Sequence, residues 1–383
     1  MNASSKFDYP FKVFKEKYKN EISQIGKILG KGAFGEVRDV KYKNKSMAIK
    51  IIERNKGDKI EGEKLAINLR SHNIIKIQKI YEGEKIKNTS RDKNKEGSNS
   101  SDYYDFIIME KAVLRDLAKL NEFYHRHNLL KLIKGIKDTD KYVFNENSGD
   151  SLLRFYARQI INALEILDDN NYVHFDIKPD NLLISINLII RLTDFSLLRE
   201  VKDSYIDFKI PGGTQGYITP EYYIDKRVGR DTARKQDFFA LGSSLFLLKY
   251  GLQLLKYKKC DDDNRMNADR IVDLLQQNIN FLKSQTFTDR DFIFFIKSLV
   301  GYTPEERVFF QHIIRNKWLN KNVDELDRIV MGFENDEEKL IIELQKNDYF
   351  LQKEEYLENR KNKKSSKSNK YCFKKKQNDD YWS

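Results

Sequence analysis

The stretch YVHFDIKPDNLLI, residues 172–184, sets two acids, a lysine and an asparagine into a run otherwise apolar enough for a buried strand. Charged groups beside apolar runs are costly unless they are paired or put to use. Asp176, Lys178 and Asn181 stand at D-x-K-x-x-N spacing, and Phe175 directly precedes the first acid. Eighteen residues beyond Asp176, a second apolar run, LIIRLTDF, ends on another acid, Asp194. A chain that folds around these segments must bring its costly groups to a common place.

The residue types fit one kind of chemistry. Asp176 can accept a proton from an attacking hydroxyl, Lys178 can neutralise charge on a transferred phosphoryl group, and Asn181 can ligate Mg2+. Asp194 adds the acidic oxygen that a hard cation prefers. His174 reads as a packed or hydrogen-bonded core histidine, not a base.

Upstream, GKGAFGEV at residues 30–37 is G-x-G-x-x-G-x-V. A dinucleotide-binding reading needs a strand, the glycines and then a helix. Here the glycines lead into EVRDVKYKNKSMAIK, which predicts a hairpin, and no G-x-x-x-x-G-K-[ST] occurs. In a hairpin, Gly30, Gly32 and Gly35 let the backbone lie close over phosphate oxygens. Lys50 ends the β-type run AIK, within reach of such phosphates; its bland alternative is a solvated strand-end lysine. The helix after it offers Glu61 and Glu63 as partners.

Between Ile22 and Ile52, short β-prone runs broken by glycine, asparagine and serine predict a meander. Residues 59–70 carry a moderate helical pattern, and NIIKIQKIYEGEKI and YYDFIIMEK are two further β-type runs. The polar segment between them, about residues 87–102, predicts a disordered surface loop. After residue 112 the pattern turns helical. SLLRFYARQIINALEILDDNN has a wide apolar face, with Asp150 or Ser151 to cap it. KQDFFALGSSLFLLKYG is apolar nearly all round and predicts a helix buried at the centre of a second lobe. NADRIVDLLQQNINFLKS, TDRDFIFFIKSLV and RVFFQHIIRNKWL complete a mostly helical body, and residues 121–150 read as a loop-rich insertion.

A chain of 383 residues, 40% of them hydrophobic, can bury one or two sizeable cores. Two cysteines, Cys260 and Cys372, make no disulfide framework, which suits a reducing compartment. The opening MNASSKFDYPFKVFK lacks the apolar core of a signal peptide, Asn2 excludes myristoylation, and no apolar run reaches the ~18 residues of a membrane span. The expectation is a soluble intracellular protein. Nine Lys and Arg between Asn359 and Lys376, with no acid among them, carry most of the net charge of +12. The basic balance therefore belongs to a tail, and specific nucleic-acid binding by the folded body is not indicated.

Together the motifs resemble the eukaryotic protein kinase family. They are the glycine loop at 30–37, AIK at 48–50, HFDIKPDN at 174–181, DFS at 194–196, TPE at 219–221, DFFALG at 237–242 and Arg307. The resemblance implies an α+β, bilobal fold, with a small antiparallel sheet lobe plus one helix and a larger helical lobe. It divides the chain into an N-terminal extension (1–21), a kinase domain (22–320, the lobes meeting near 111) and a charged tail (321–383). The cofactors implied are ATP and Mg2+. In the family's roles, the loop Gly30, Lys31, Gly32, Ala33, Phe34 and Gly35 covers the phosphates. Lys50 contacts the α/β-phosphates and pairs with Glu63, with Glu61 as fallback. Asp176 is the base, Lys178 steadies the γ-phosphate, Asn181 and Asp194 hold Mg2+, and Thr214 bonds Asp176 and Lys178. Leu29, Val37, Ala48 and Leu183 sandwich the adenine; Met109 is the gatekeeper, Glu110 and Ala112 offer backbone groups, and Asp116 meets the ribose. Glu221 with Arg307, and Asp237 beneath the catalytic loop, are structural. Phe195, His174 and Ile67 join a hydrophobic column. KPDN and GTQGYITPE resemble the Ser/Thr kinases, so the expected substrate is a protein hydroxyl.

Three departures stand out. Phe175 replaces the arginine that in most of the family receives an activation-loop phosphate, so activity is expected not to depend on such a phosphate. Ser196 replaces a glycine and should restrict the motif's flip. The gap from Lys50 to Glu63 is short, which predicts a stunted or displaced helix. Competing readings are a nucleotide-binding pseudokinase scaffold and a small-molecule kinase. Asp116 and Asp180 stand where basic residues upstream of a target would be met, or are simply ribose-binding and solvated. In the tail, residues 335–358 show helical periodicity, and the basic arm 359–376 is a solvated arm, a nuclear import signal or an anchor for acidic partners or anionic surfaces. The expected location is cytoplasmic, or nuclear through that arm.

Overall fold

Strand β1 (Ile22–Gly32) turns at the glycines into β2 (Gly35–Tyr42), and β2 turns into β3 (Lys45–Arg54) through Lys43 and Asn44. Both turn residues have positive φ, 46° and 64°, the left-handed pair that a two-residue hairpin needs to match strand twist. Helix α2 (Glu61–Ala66), β4 (Ile77–Lys87) and β5 (Ser101–Met109) complete an antiparallel five-stranded sheet of order β1-β2-β3-β5-β4. In the computed structural model, residues 5–32, 35–54, 60–87, 101–112, 116–119, 148–185, 189–202, 205–207, 213–224, 227–251, 253–255 and 290–320 are described, with a few isolated helical positions between 273 and 280.

The sheet has two buried faces because side chains alternate along each strand. Ala48, Ile52, Ile107 and Met109 face α2 and the large lobe. Ile49, Ile51, Phe106 and Ile108 face the other way and are covered by a helix, α1 (Asp8–Lys17), from the segment read from sequence as a mere extension. Phe7, Phe11 and Phe14 are buried there, and Phe14 stacks on Phe106 with ring centroids 3.7 Å apart. Pro10 sits in the first turn of α1, where its missing N–H costs nothing.

The large lobe is built on two long helices, α3 (Ser148–Asp169) and the central α5 (Arg230–Tyr250). Helix α3 begins two to three residues before the caps predicted from sequence. Two-residue β6 (Tyr172–Val173) pairs with β9 (Arg199–Glu200), and β7 (Leu182–Ile184) pairs with β8 (Ile190–Leu192). These small ladders hold the segments that carry Asp176 and Asp194 side by side. Strand β10 (Tyr205–Asp207) pairs with β11 (Arg227–Gly229), which follows the short helix α4 (Glu221–Ile224). Helix α5 is buried along most of its length, with the polar Lys235, Gln236 and Asp237 buried beside its apolar run, and ends at Gly251 in a left-handed cap. Helices α6 (Arg290–Leu299) and α7 (Phe310–Ile313) pack with Trp318 against it.

Among the described residues no helix is long and apolar enough to cross a membrane. Strands β4 and β5 reach Lys87 and Ser101, inside the limits predicted for the polar loop; residues 88–100 lie outside the described residues. So do Ala33 and Phe34 of the glycine loop, the stretch 120–147, Ser204, most of the helix predicted at 267–284, both cysteines, and the whole tail from 321.

Candidate active site

Alternation on β3 places Lys50 on the same face as Ala48 and Ile52, toward the cleft between the lobes. Its Nζ lies 2.7 Å from Oδ1 of Asp194 and 3.2 Å from Oε1 of Glu63. Burial opposes the charge on Lys50, but the two carboxylates outweigh it and raise its pKa. Burial likewise opposes the charge of Asp194, and Lys50 outweighs it, holding the carboxyl below its ordinary range. Glu63, not Glu61, is the partner, and α2 is only six residues long. The helix reaches Lys50 despite the short gap because it lies almost on the turn that follows Asp194. A Cβ on Gly62 would stand 1.8 Å from the carbonyl oxygen of Phe195, so only glycine permits that approach.

The catalytic segment is held from below. Asp237 of α5 accepts the backbone N–H groups of His174 (2.7 Å) and Phe175 (2.9 Å). Those bonds support Phe175 in a left-handed conformation, φ 65°, that ordinarily costs about 1–2 kcal/mol outside glycine. The strained residue turns the chain so that Asp176 points into the cleft. Its Oδ2 accepts from Lys178 Nζ at 2.8 Å and Asn181 Nδ2 at 2.9 Å, and its Oδ1 accepts from Thr214 Oγ1 at 2.7 Å. Lys178 Nζ also donates to Thr214 Oγ1 at 2.5 Å. Gly213, just before Thr214, has φ 116°, and a Cβ there would stand 2.6 Å from the carbonyl oxygen of Phe175. His174 is fully buried, with Nε2 3.1 Å from the Thr193 carbonyl and Nδ1 accepting the Asp176 N–H at 3.2 Å.

The glycine hairpin closes with Gly32 opposite Gly35. A Cβ on Gly35 would stand 1.7 Å from the Ile51 carbonyl oxygen, while Gly30 and Gly32 face open space. The sheet thus brings a bare backbone edge over the cleft that holds Lys50.

The sequence profile of the protein kinase domain matches residues 23–319. The chain belongs to the protein kinase family. It is 28% identical over 244 residues to serine/threonine-protein kinase MRCK alpha of Homo sapiens, a match that covers 63% of this chain and 12% of that protein. It is 26% identical over 300 residues to Aurora kinase of Eremothecium gossypii, covering 78% of this chain and 69% of that one. The MRCK relatives are therefore much longer proteins, of which this chain spans about an eighth. The bilobal kinase fold expected from sequence is the fold observed.

Protein kinase domains use ATP, and the residues here fit it and a divalent cation. Asn181 spends its Nδ2 on Asp176, and its Oδ1 accepts no hydrogen bond among the described residues. Asp194 gives Oδ1 to Lys50 and Ser196, and its Oδ2 is equally uncommitted among them. An amide oxygen and a carboxylate oxygen of this kind have the chemistry that suits Mg2+. Val37, Ala48, Leu183 and Met109 line or border the apolar core at the cleft, with Leu29 at its exposed edge. The N–H of Glu110 is already spent on the Lys76 carbonyl at 2.9 Å, which leaves only its carbonyl for an adenine edge. Ala112 lies in the same link between the lobes. Asp116 accepts the Lys119 N–H at 2.9 Å and pairs with the Lys119 ammonium at 3.0 Å, so both its oxygens already have partners. Lys31 is exposed and lies 3.7 Å from Glu36, and Asp180 is exposed on the large lobe.

The family's usual arginine before the catalytic acid is here a plug. Phe175 is 3% exposed, packs edge-on to Tyr222 at 5.9 Å, and joins Val173, Val201, Ile218, Val228 and Ala233 in one cluster. Ser196, in the glycine position, donates from Oγ to Asp194 Oδ1 at 3.1 Å. Neither contact was foreseen from sequence. The β10–β11 ladder, which ties part of the activation segment to the start of α5, was not foreseen either.

Proposed function

We propose that this chain is an ATP-dependent protein serine/threonine kinase that works without a phosphate on its activation segment. The observation that carries the reading is the convergence of Asp176, Lys178, Asn181 and Thr214 in one hydrogen-bonded group beside the Lys50–Asp194 pair. These are the groups phosphoryl transfer needs, since that reaction depends mostly on positioning and charge neutralisation. The names of the relatives, serine/threonine-protein kinases among them, and the KPDN and GTQGYITPE segments support the choice of hydroxyl.

ATP with Mg2+ supplies the phosphoryl group when bound. Asn181 and Asp194 would hold the cation, and Lys50, braced by Glu63, would supply positive charge to the phosphates. Asp176 orients the serine or threonine hydroxyl and takes its proton on Oδ1, which among the described residues carries only the Thr214 bond. Lys178 stays within reach of both Asp176 and the charge that develops beside it. Thr214 fixes the pair to the activation segment, so the acid is aligned only when that segment is in place.

Independence from loop phosphorylation is supported by the apolar cluster around Phe175 and by the β10–β11 ladder. Where a phosphate-binding arginine would sit, the loop is fastened by burial and backbone bonds instead. The test is transfer of labelled phosphate from Mg-ATP to a generic protein acceptor, with phosphoamino-acid analysis, before and after phosphatase treatment. Transfer to serine and threonine, undiminished by the phosphatase, is the expected result. Asp176→Asn should lower turnover by about 10²–10⁴-fold and leave ATP binding intact. ATP binding without transfer in the wild type would favour a scaffold over an enzyme. Activity that disappears with a phosphate mapped between Asp194 and Glu221 would sink the independence.

A further inference from the structure

Glu36 is an odd residue for its place. It is 1% exposed, lies between Gly35 and Val37 within the glycine hairpin, and is a carboxylate. Strand alternation turns Val37 to the cleft and Glu36, Arg38 and Val40 to the opposite face, where α1 lies. Glu36 accepts from Ser5 Oγ at 2.7 Å and from Arg38 Nε at 2.6 Å, and Lys31 Nζ stands 3.7 Å away. Arg38 donates a further bond to Asp8 at 2.5 Å and packs over the Phe11 ring at 4.6 Å. Asp8 in turn accepts the Ser5 N–H at 2.8 Å, while Ser5 Oγ accepts the Phe7 N–H at 3.2 Å. Ser5 and Asp8 thus brace each other where the chain enters the helix.

The start of α1 and the back of the glycine hairpin are thus one network. The far end of the helix is fastened as well: Lys17 and Tyr18 both bond Glu84, each at 2.6 Å. Stability alone does not call for a buried carboxylate, since an apolar side chain would fill the space without the penalty of desolvating a charge. What the charged network adds is a fixed position for the strand that carries Gly35.

We propose that Ser5, Asp8, Glu36 and Arg38 are positioning residues for nucleotide binding, through which the N-terminal helix holds the glycine hairpin from behind. The inference rests on the nucleotide reading of the cleft. The hairpin's backbone must lie at a set height to meet phosphate oxygens, and the network sets that height. Loosening it should weaken nucleotide binding and leave the chemical step alone.

The variants are Glu36→Gln, Arg38→Met and Ser5→Ala in the full chain, read by titration with a fluorescent ATP analogue. The expected result is a dissociation constant raised by about 3–10-fold for the first two, and less for Ser5→Ala. The KM for ATP should rise by a similar factor, with kcat at saturating ATP within about 2-fold of wild type. Ser5→Ala combined with Glu36→Gln should change affinity by less than the product of the single effects, because both act on the same bond. Ser5→Ala, which takes away one hydroxyl at a half-exposed position, guards against variants that fail to fold. Unchanged nucleotide affinity in every variant, whatever happens to the melting temperature, would overturn the proposal and leave the network a matter of stability. If the wild type binds ATP but transfers nothing, the kinase reading falls while the affinities still decide this one. A wild type that binds no nucleotide overturns both.

Discussion

At the scale of single residues, His174 shows how far a buried polar group is committed. Its ring accepts an N–H at Nδ1 and faces a carbonyl at Nε2, an arrangement that only the neutral ring with its proton on Nε2 satisfies. Burial pushes its pKa below the ordinary 6.5. The unfolded chain therefore binds the proton more readily than the folded one, and this group's contribution to stability is full above about pH 6.5 and lost as the pH falls below it. Denaturant unfolding of the wild type and His174→Gln between about pH 8 and pH 5 checks this. The difference between them should shift against the wild type at the acid end, and parallel curves would refute it. Phe175 makes the opposite test. Phe175→Arg would place a guanidinium among Val173, Ile218, Tyr222 and Val228, and should destabilise the chain by about 1–3 kcal/mol in the absence of a loop phosphate. The residues of the cleft were legible in the sequence because each is an expensive type at a fixed spacing. The Ser196–Asp194 bond and the strained φ of Phe175 were not, since nothing in a linear pattern reports which way a hydroxyl or a backbone turns.

Among the elements, α2 repays attention for its brevity. Replacing glycine by alanine inside a helix ordinarily stabilises it by roughly 1 kcal/mol. Gly62→Ala should do the reverse, because its methyl group would collide with the Phe195 carbonyl. Pushing α2 away lengthens the Lys50–Glu63 pair, so turnover should fall along with the melting temperature. A stabilised and fully active Gly62→Ala would show that the helix has room to shift. The short gap from Lys50 to Glu63 announced a stunted helix, but Gly62 as its reason needed the third dimension. The five strands were legible because glycine and asparagine turns separate runs of branched and aromatic side chains. Helix α1 was not anticipated although its signal is there to read: Phe7, Phe11, Phe14 and Tyr18 repeat at helical spacing. The proline at position 10 and the surrounding lysines mask that stripe.

For the molecule as a whole, the large lobe depends on one ionic clasp. Arg307 meets Glu221 through two bonds of 2.5 and 2.6 Å, fully buried, and also donates to the Gly301 carbonyl. Removing one partner strands the other charge in the core, so Arg307→Met should cost about 3–5 kcal/mol, measured as a fall in the denaturation midpoint. An unmoved midpoint would mean that Glu221 finds another partner. That clasp fixes the end of the activation segment, the β10–β11 ladder fixes its middle, and the cluster about Phe175 fixes it to the catalytic loop. A phosphate can be added by one enzyme and removed by another, but no enzyme installs or strips a phenylalanine. Under the proposed independence from loop phosphorylation, a kinase fastened in this way is switched on when it folds. Its output in a cell would be governed by how much is made, where it is held and how soon it is destroyed.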